Sequence, residues 1–409
     1  RDLHLLSRRQ RQMCIRDSIY FAVLIGIGLY CRKHATDVNG FVLGGRSVGP
    51  WLTAFAYGTS YFSAVVFVGY AGQFGWKYGI AATWAGIGNA IIGSLLAWVV
   101  LGRRKRIMSQ HLDSATMPQY FGKRFGSNPL KIGASVIIFI FLIPYTASLY
   151  NGLSRLFGMA FNIDYSVCII IMATLTAIYV IAGGYMATAI NDFIQGIIML
   201  FGIVAVIAAV IHSKGGFMSA LQGLANVSDP AVSDTPGIFA SFFGPDPFNL
   251  LCVVILTSLG TWGLPQMVQK FYAIDNEASI QKGTIISTIF ALIVSGGCYF
   301  LGGFGRLFSD QIDVKANGFD SIIPTMLSNL SPALIALVVI LVLSASMSTL
   351  SSLVIASSST LTIDFLKDNF IKNMSDKKQV LYIRILVVVF IAISAILALI
   401  PVSYTHLTL

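Results

Sequence analysis

The chain has 409 residues, 56% hydrophobic and 11% charged, with a formal net charge of +10 and a mean hydropathy of +0.78. A soluble domain carries about 25% charged residues, so this chain lacks the polar surface to keep a compact fold in water and is read as an integral membrane protein. Its basic residues sit in short segments between apolar runs, where the positive-inside rule places them, not in a stripe interleaved with exposed aromatics, which sets nucleic-acid binding aside.

Residues 1–18, RDLHLLSRRQRQMCIRDS, are polar and basic and lead poorly into the apolar run that follows. With residues 402–409 they are expected to be non-native ends, flanking a transmembrane domain over 19–401 of a protein that continues past both. Within that domain ten apolar segments are expected to be helices, at about 19–30, 50–75, 79–101, 132–154, 165–185, 190–212, 248–269, 283–304, 332–360 and 380–401. One set of alternate loops holds Arg32, Lys33 and Arg46, the run from Arg103 to Arg106, Lys123, Arg124 and Lys131, Lys270 and Lys282, and Lys367 to Lys378; the other holds only Lys77, Arg155, Lys214, Arg306 and Lys315. The first set is therefore cytoplasmic. The 102–131 stretch reads as a solvated cytoplasmic connection, and FDSIIPTML (319–327) as a short helix capping an outer loop.

Two segments differ from the rest. Segment 50–75 is small and polar in its middle, at Gly58, Thr59, Ser60 and Ser63; segment 248–269 carries Gly260, Gly263 and Pro265. Gly and Pro weaken a helix interior, and in lipid an opened backbone is tolerated where it lines a cavity. The two stand five helices apart, at corresponding positions of two halves, which predicts an all-α inverted-repeat transporter with discontinuous helices at the midplane. On this count the second half lacks its last helix. The alternative use of such glycines is close helix packing.

The helix interiors hold almost no ionisable residue. Asp192 and Arg384, both placed near cytoplasmic helix ends, are the exceptions, and proton-coupled carriers depend on titratable intramembrane groups. Sodium coupling needs only oxygen ligands, which hydroxyls and unwound carbonyls supply. Segment 343–362 is dense in hydroxyls, among them Ser344, Ser346, Ser348, Thr349, Ser351, Ser352, Ser357, Ser358, Ser359 and Thr360. Helix–helix hydrogen bonding is the competing use for them. No HExxH, GxSxG, paired carboxylates or Walker loop is present, so the chain is not read as an enzyme. No filter of repeated carbonyls or charged rings marks a channel.

The motifs FVLGGRSVGPW (41–51), YGTSYFSAVVFVGYAGQFGWKYG (57–79), TAIYVIAGGYMATAINDFIQG (176–196), GLPQMVQKF (263–271) and SASMSTLSSLVIASSSTLTIDFLK (344–367), in this order, resemble the sodium/solute symporters, which include sodium/proline, sodium/pantothenate and sodium/sugar carriers. The resemblance covers about 19–401. It implies a five-plus-five inverted-repeat fold, incomplete at the C-terminus, in the inner membrane of a bacterium, and symport of a small organic solute with sodium by alternating access. The resemblance further implies sodium held by the carbonyls of Thr59, Phe62 and Ala345 and the hydroxyls of Ser348 and Thr349. Arg46 and Asp192 match positions used in coupling, and Ser60, Tyr61, Ser63, Thr257, Thr261, Trp262 and Gln266 match substrate-facing ones. Tyr61 stands where proline carriers have an acidic residue, and Thr257 and Thr261 where they have aromatics, which leans toward a pantothenate-type solute. The rival readings are a transporter-like sensor domain of a signalling protein and a carrier without sodium coupling.

Overall fold

The computed structural model describes residues 20–161, 164–314, 318–328, 330–371 and 374–400; the two ends expected to be non-native lie outside these. The described residues form helices and isolated bridges, with no strand longer than a bridge. That is the outcome a bilayer imposes, because each backbone group there must find its partner within the protein.

In chain order the helices are α1 (Tyr20–Cys31), α2 (Pro50–Tyr61) and α3 (Ala71–Tyr78), which a π-helical turn over Val65–Tyr70 precedes. Helix α4 starts at Thr83–Gly88, runs through π-helical stretches and ends as Arg103–His111. Then come α5 (Met117–Phe125), α6 (Asn128–Phe161), α7 (Tyr165–Ser213) and the outer-loop helix α8 (Phe217–Ala225). The second half contains α9 (Pro247–Gly263), α10 (Pro265–Ala273), α11 (Glu277–Gly303), α12 (Ile322–Ser328), α13 (Pro332–Thr360) and α14 (Asp376–Leu399).

Among the described residues, six helices are long and apolar enough to cross a membrane, or seven with the bent pair α9–α10. The ten segments read from the sequence reconcile with this count. Two of the six are composite: Val65–His111 turns at Gly79 (φ 63°, ψ −144°) and Tyr165–Ser213 breaks at Gly184 (φ 57°, ψ −148°). A straight helix of 49 residues would reach about 74 Å, more than twice the hydrocarbon thickness of about 30 Å. Helices α1 and α2 are each too short for the length test. The first half thus holds α2–α3, α4, α6 and the two arms of α7. The second holds α9–α10, α11, α13 and α14 among the described residues.

Both interruptions exist, but not at the glycines. Gly58 lies inside α2, where a Cβ would come within 2.3 Å of the Phe290 ring; it permits a close approach of α11. The first break falls at Phe62 and Ser63, with Phe62 extended (φ −83°, ψ 117°). Gly260 and Gly263 lie within α9 with open space beside them. The second break is the single extended residue Leu264 (φ −71°, ψ 123°), and the helix axis bends there by 51°. Pro265 explains it, since a proline forces its predecessor out of the helical region and then opens the next helix as its first residue.

Helix α13 is the most enclosed element: Ser344 to Thr360 are all buried, packed against α7, α6, α14 and α2. Helix α11 lies across α2, α3 and α4. Large apolar residues such as Phe201 and Leu256, each 74% exposed, cover the lipid-facing rim. The 102–131 stretch is more ordered than a solvated connection: α4 extends through it to His111, α5 follows, and Arg106 is buried. The capping helix expected at 319–327 forms as a 3-10 turn leading into α12.

Gly184 combines a Gly-only conformation with a Cβ position 2.8 Å from the Phe41 carbonyl oxygen. Gly184→Ala is therefore expected to lower stability by about 1–3 kcal/mol. Gly133→Ala, with nothing near its Cβ position, serves as the neutral control. Thermal unfolding of the two detergent-solubilised variants checks this.

Candidate functional site

The break after α2 leaves carbonyls without helical partners, and α13 meets them. Ser348 Oγ lies 3.2 Å from Thr59 O and 3.0 Å from Ala345 O. Thr349 Oγ1 lies 3.1 Å from Thr59 O, 3.2 Å from Phe62 O and 3.0 Å from Ala345 O. All five residues are buried. These are the three carbonyls and two hydroxyls singled out from the sequence, and the structure brings them together. The two hydroxyls own one proton each, so two protons face five short O···O contacts. The nest is short of positive charge, uncharged and made only of oxygen, a donor set suited to a hard cation.

Next to the nest lies a cavity of about 20 Å³, room for one water, lined by residues of α2, α4, α9, α10 and α11. Tyr61 and Thr261 line it. Tyr61 Oη reaches toward Thr257 O at 3.5 Å, and Thr261 Oγ1 donates within reach of Gly93 O (3.1 Å) and Ser258 O (2.8 Å). Ser63 Oγ and both amide atoms of Gln266 are buried with no hydrogen-bond partner among the described residues, which is costly for polar groups and favours a ligand that completes them. Three expected substrate-facing residues point elsewhere. Ser60 Oγ donates to Ala56 O and pairs with Ser352 Oγ at 2.8 Å. Thr257 bonds back to Val253 O, as helix hydroxyls do. Trp262 Nε1 donates to Ile92 O on α4.

The sequence did not point to Asn89, Ser94, Ser287 and Ser295, which share the cavity wall. Asn89 Nδ2 donates to Ser295 Oγ and its Oδ1 accepts from Ser258, so one amide ties α4 to both α9 and α11. A lone Asn inside segment 79–101 was the available signal. Lys270 was read as a cytoplasmic loop charge, yet it is buried on α10, 3.6 Å from Asp192 Oδ2. Asp192 and Arg384 are thus not the only ionisable groups within the fold: Lys270 is one more, and Asp364, which accepts from Thr116 Oγ1 at 2.5 Å, is another. Pro265 at the first helical position should have signalled that Gln266 and Lys270, four residues apart, share a buried helix face.

Arg46 sits in a left-handed turn (φ 54°) after Gly44 and Gly45. Its guanidinium donates to Ser114 O at 2.8 Å, Tyr272 O at 3.3 Å and Ser109 Oγ at 3.3 Å. Arg106 donates to Ile274 O and Asp275 O, and Val48 and Ile274 form a parallel bridge. On the side bearing the basic loops, therefore, the start of α2 is latched to the end of α10. Toward the opposite ends of α3 and α11 lies a wider cavity of about 780 Å³, bordered by Trp76, Lys77, Asp229 and Arg306.

The sequence profile of the sodium:solute symporter family matches residues 41–407. The osmoregulated proline transporter OpuE of Bacillus subtilis is 28% identical over 394 residues, covering 95% of this chain and 78% of that one. A sodium/proline symporter of Staphylococcus aureus is 30% identical over 371 residues, covering 87% and 68%. A Na+-coupled sialic acid symporter, solved substrate-bound and outward-open, superimposes with a TM-score of 0.78 over 98% of this chain and 83% of that one, at 16% identity. The last similarity establishes the fold.

A buried amide with no partner destabilises the protein until a ligand pairs it. Gln266→Leu is expected to raise the stability of the solute-free protein by about 1–3 kcal/mol while abolishing solute uptake. Thermal unfolding and vesicle uptake, measured on the same preparation, test the two halves of this expectation.

Proposed function

The chain belongs to the sodium:solute symporter family, and from that premise we propose that its sodium ion is held by Thr59, Phe62, Ala345, Ser348 and Thr349 beside a cavity, here wide enough for one water, that opens between α2 and α10 to take the solute. It is a multi-pass, sodium-coupled transporter of the bacterial cytoplasmic membrane, not an enzyme. The observation that carries the site assignment is the meeting, at full burial, of the two α13 hydroxyls with the Thr59 and Phe62 carbonyls beside the break after α2, an all-oxygen cluster drawn from two helices. A sodium ion in their midst turns both hydroxyl protons outward and takes lone pairs from all five groups.

The ion joins the broken end of α2 to α13. This fixes Tyr61, the residue before the break, on the cavity wall, so sodium orders the place where the solute binds. The coupling is mutual: sodium raises solute affinity by the factor by which solute raises sodium affinity. Once both are bound, the latch of Arg46 and Arg106 opens and the ion leaves toward the cytoplasm past Asp192.

The solute is a small organic molecule bearing a carboxylate: an amino acid, a monocarboxylate or a vitamin-like acid. No charged side chain lines the cavity among the described residues. The Gln266 side-chain amide, buried at the start of α10 with no partner among the described residues, is the donor offered to that carboxylate. Tyr61 and Thr261, neutral and hydroxylated on the cavity wall, favour a solute with a polar group beyond its carboxylate over proline, which the relatives OpuE and the S. aureus symporter carry.

Thr349→Ala is expected to raise the sodium concentration for half-maximal uptake by about tenfold, the 1.4 kcal/mol scale of a lost interaction with a charge, whereas Thr349→Ser keeps the wild-type value. Vesicle uptake of proline, pantothenate, monocarboxylates and sugars, with and without a sodium gradient, is the measurement. An unchanged sodium response in Thr349→Ala removes the ion from this nest.

A further inference from the structure

The nest and the cavity leave a buried ion pair without a task. Lys270 on α10 is 1% exposed and Asp192 on α7 is fully buried, with Nζ and Oδ2 3.6 Å apart. Neither carboxylate oxygen makes a hydrogen bond among the described residues. Such a pair is an expensive way to hold helices together, since apolar side chains of similar volume often do so as well or better.

Its other contacts show what it reaches. Lys270 Nζ donates to Ser352 Oγ at 3.0 Å and lies 4.8 Å from the centre of the Tyr185 ring. Ser352 Oγ is 2.8 Å from Ser60 Oγ, whose hydroxyl also lies against Ala56 O. Ser60 directly follows Thr59, and Ser352 stands one helical turn beyond Ser348 and Thr349. The hydrogen bond of Lys270 thus ends on α13, one turn beyond the nest, and reaches α2 only through the Ser352–Ser60 pair. Lys270 itself is carried by α10, whose Met267 lines the cavity one turn earlier.

We propose that Lys270 is a positioning residue that transmits occupancy of the sodium nest to α10. The proposal rests on the assignment of sodium to that nest. An ion there clamps α2 to α13 and holds Ser60 against Ser352, so that Ser352 keeps its oxygen in place for Lys270. Lys270, anchored on its other side by Asp192, then fixes α10 and the wall it gives the cavity. Without the ion, α2 and α13 part more easily and the hydroxyl pair opens. Lys270 is left with α7 alone, and α10 is released. Sodium thereby orders the second broken helix although its own ligands lie on the first broken helix and on α13.

The test uses the full chain in lipid nanodiscs with sodium alone as the probe. Amide hydrogen exchange is followed in peptides covering 265–273, in sodium chloride against choline chloride, beside direct binding of radioactive sodium. In the wild type, sodium is expected to slow exchange in α10 by about tenfold, inside the range usual for coupled sites. Lys270→Met alone leaves an uncompensated buried charge, so the decisive variant is the neutral pair Lys270→Met with Asp192→Asn. It is expected to bind sodium and to lose the protection of α10. Ser352→Ala, which leaves both charges in place, is expected to do the same, and Lys270→Arg to keep protection. Protection that persists in the neutral pair or in Ser352→Ala overturns the proposal, as does a wild type in which sodium leaves α10 unchanged. Loss of sodium binding in a folded neutral pair also overturns it, because the pair then belongs to the ion's own site. Undiminished sodium binding in Ser348→Ala instead removes the nest assignment, a distinguishable failure.

Discussion

The lipid interior offers no water to a backbone that leaves the helix, and the rest of this structure answers to that constraint. The break after α2 frees Thr59 and Phe62 carbonyls at full burial, and Ser348 and Thr349 reach across to take them. This accounts for Ser348 and Thr349 on a helix that is enclosed on nearly all sides while its neighbours show large apolar residues to lipid. An all-apolar helix there would leave the broken backbone unpaired. A helix with one well-placed donor per carbonyl would pair it fully and have no use for an ion. The observed arrangement lies between these, with fewer protons than oxygens.

The same logic separates the two breaks. The first is made of carbonyls facing a hydroxyl-rich helix, an environment for a cation. The second restarts with Pro265, which has no N–H, and buries the unpaired Gln266 side-chain amide next to it, a group that can meet a hydrogen-bonding solute. The interruptions of the two halves thus differ in what they present, carbonyl and hydroxyl oxygens at the first and a side-chain amide at the second. Asn89, bonded to both α9 and α11, holds the intervening wall without adding charge.

Much of this was legible in the sequence, for identifiable reasons. Hydropathy located the spans, and the density of hydroxyls located α13, because an apolar background makes each polar residue conspicuous. The nest residues came from motif resemblance, and the structure brings them within hydrogen-bond reach of one another. The breaks fall inside the two stretches the sequence singled out, at Phe62 and Ser63 and at Leu264 beside Pro265, whereas Gly58, Gly260 and Gly263 lie within the helices. Ser60 and Thr257 were misdirected for another reason. Hydroxyls on a helix turn to whichever carbonyl or partner helix is nearest, and sequence does not say which face that is. Lys270 was misread because charge alone marks a loop in a membrane protein until a buried partner is known.

Closure on the cytoplasmic side is distributed over unlike contacts. Arg46 and Arg106 hold the α10 end through the backbone carbonyls of Tyr272, Ile274 and Asp275, neutral acceptors in the last turn of the helix and just beyond it. Lys270 holds the middle of the same helix through a carboxylate and a hydroxyl at full burial, where no water waits to replace either partner. Parting the first kind of contact leaves a neutral carbonyl, whereas parting Lys270 from Asp192 leaves two opposite charges buried apart unless a partner moves with them. A helix fastened in both ways frays at its outer end but stays fixed at its centre until the hydroxyl partner is withdrawn. That partner, Ser352, lies on α13, one turn beyond Ser348 and Thr349, so on the proposed reading the firm point of α10 is the one nearest the ion's place.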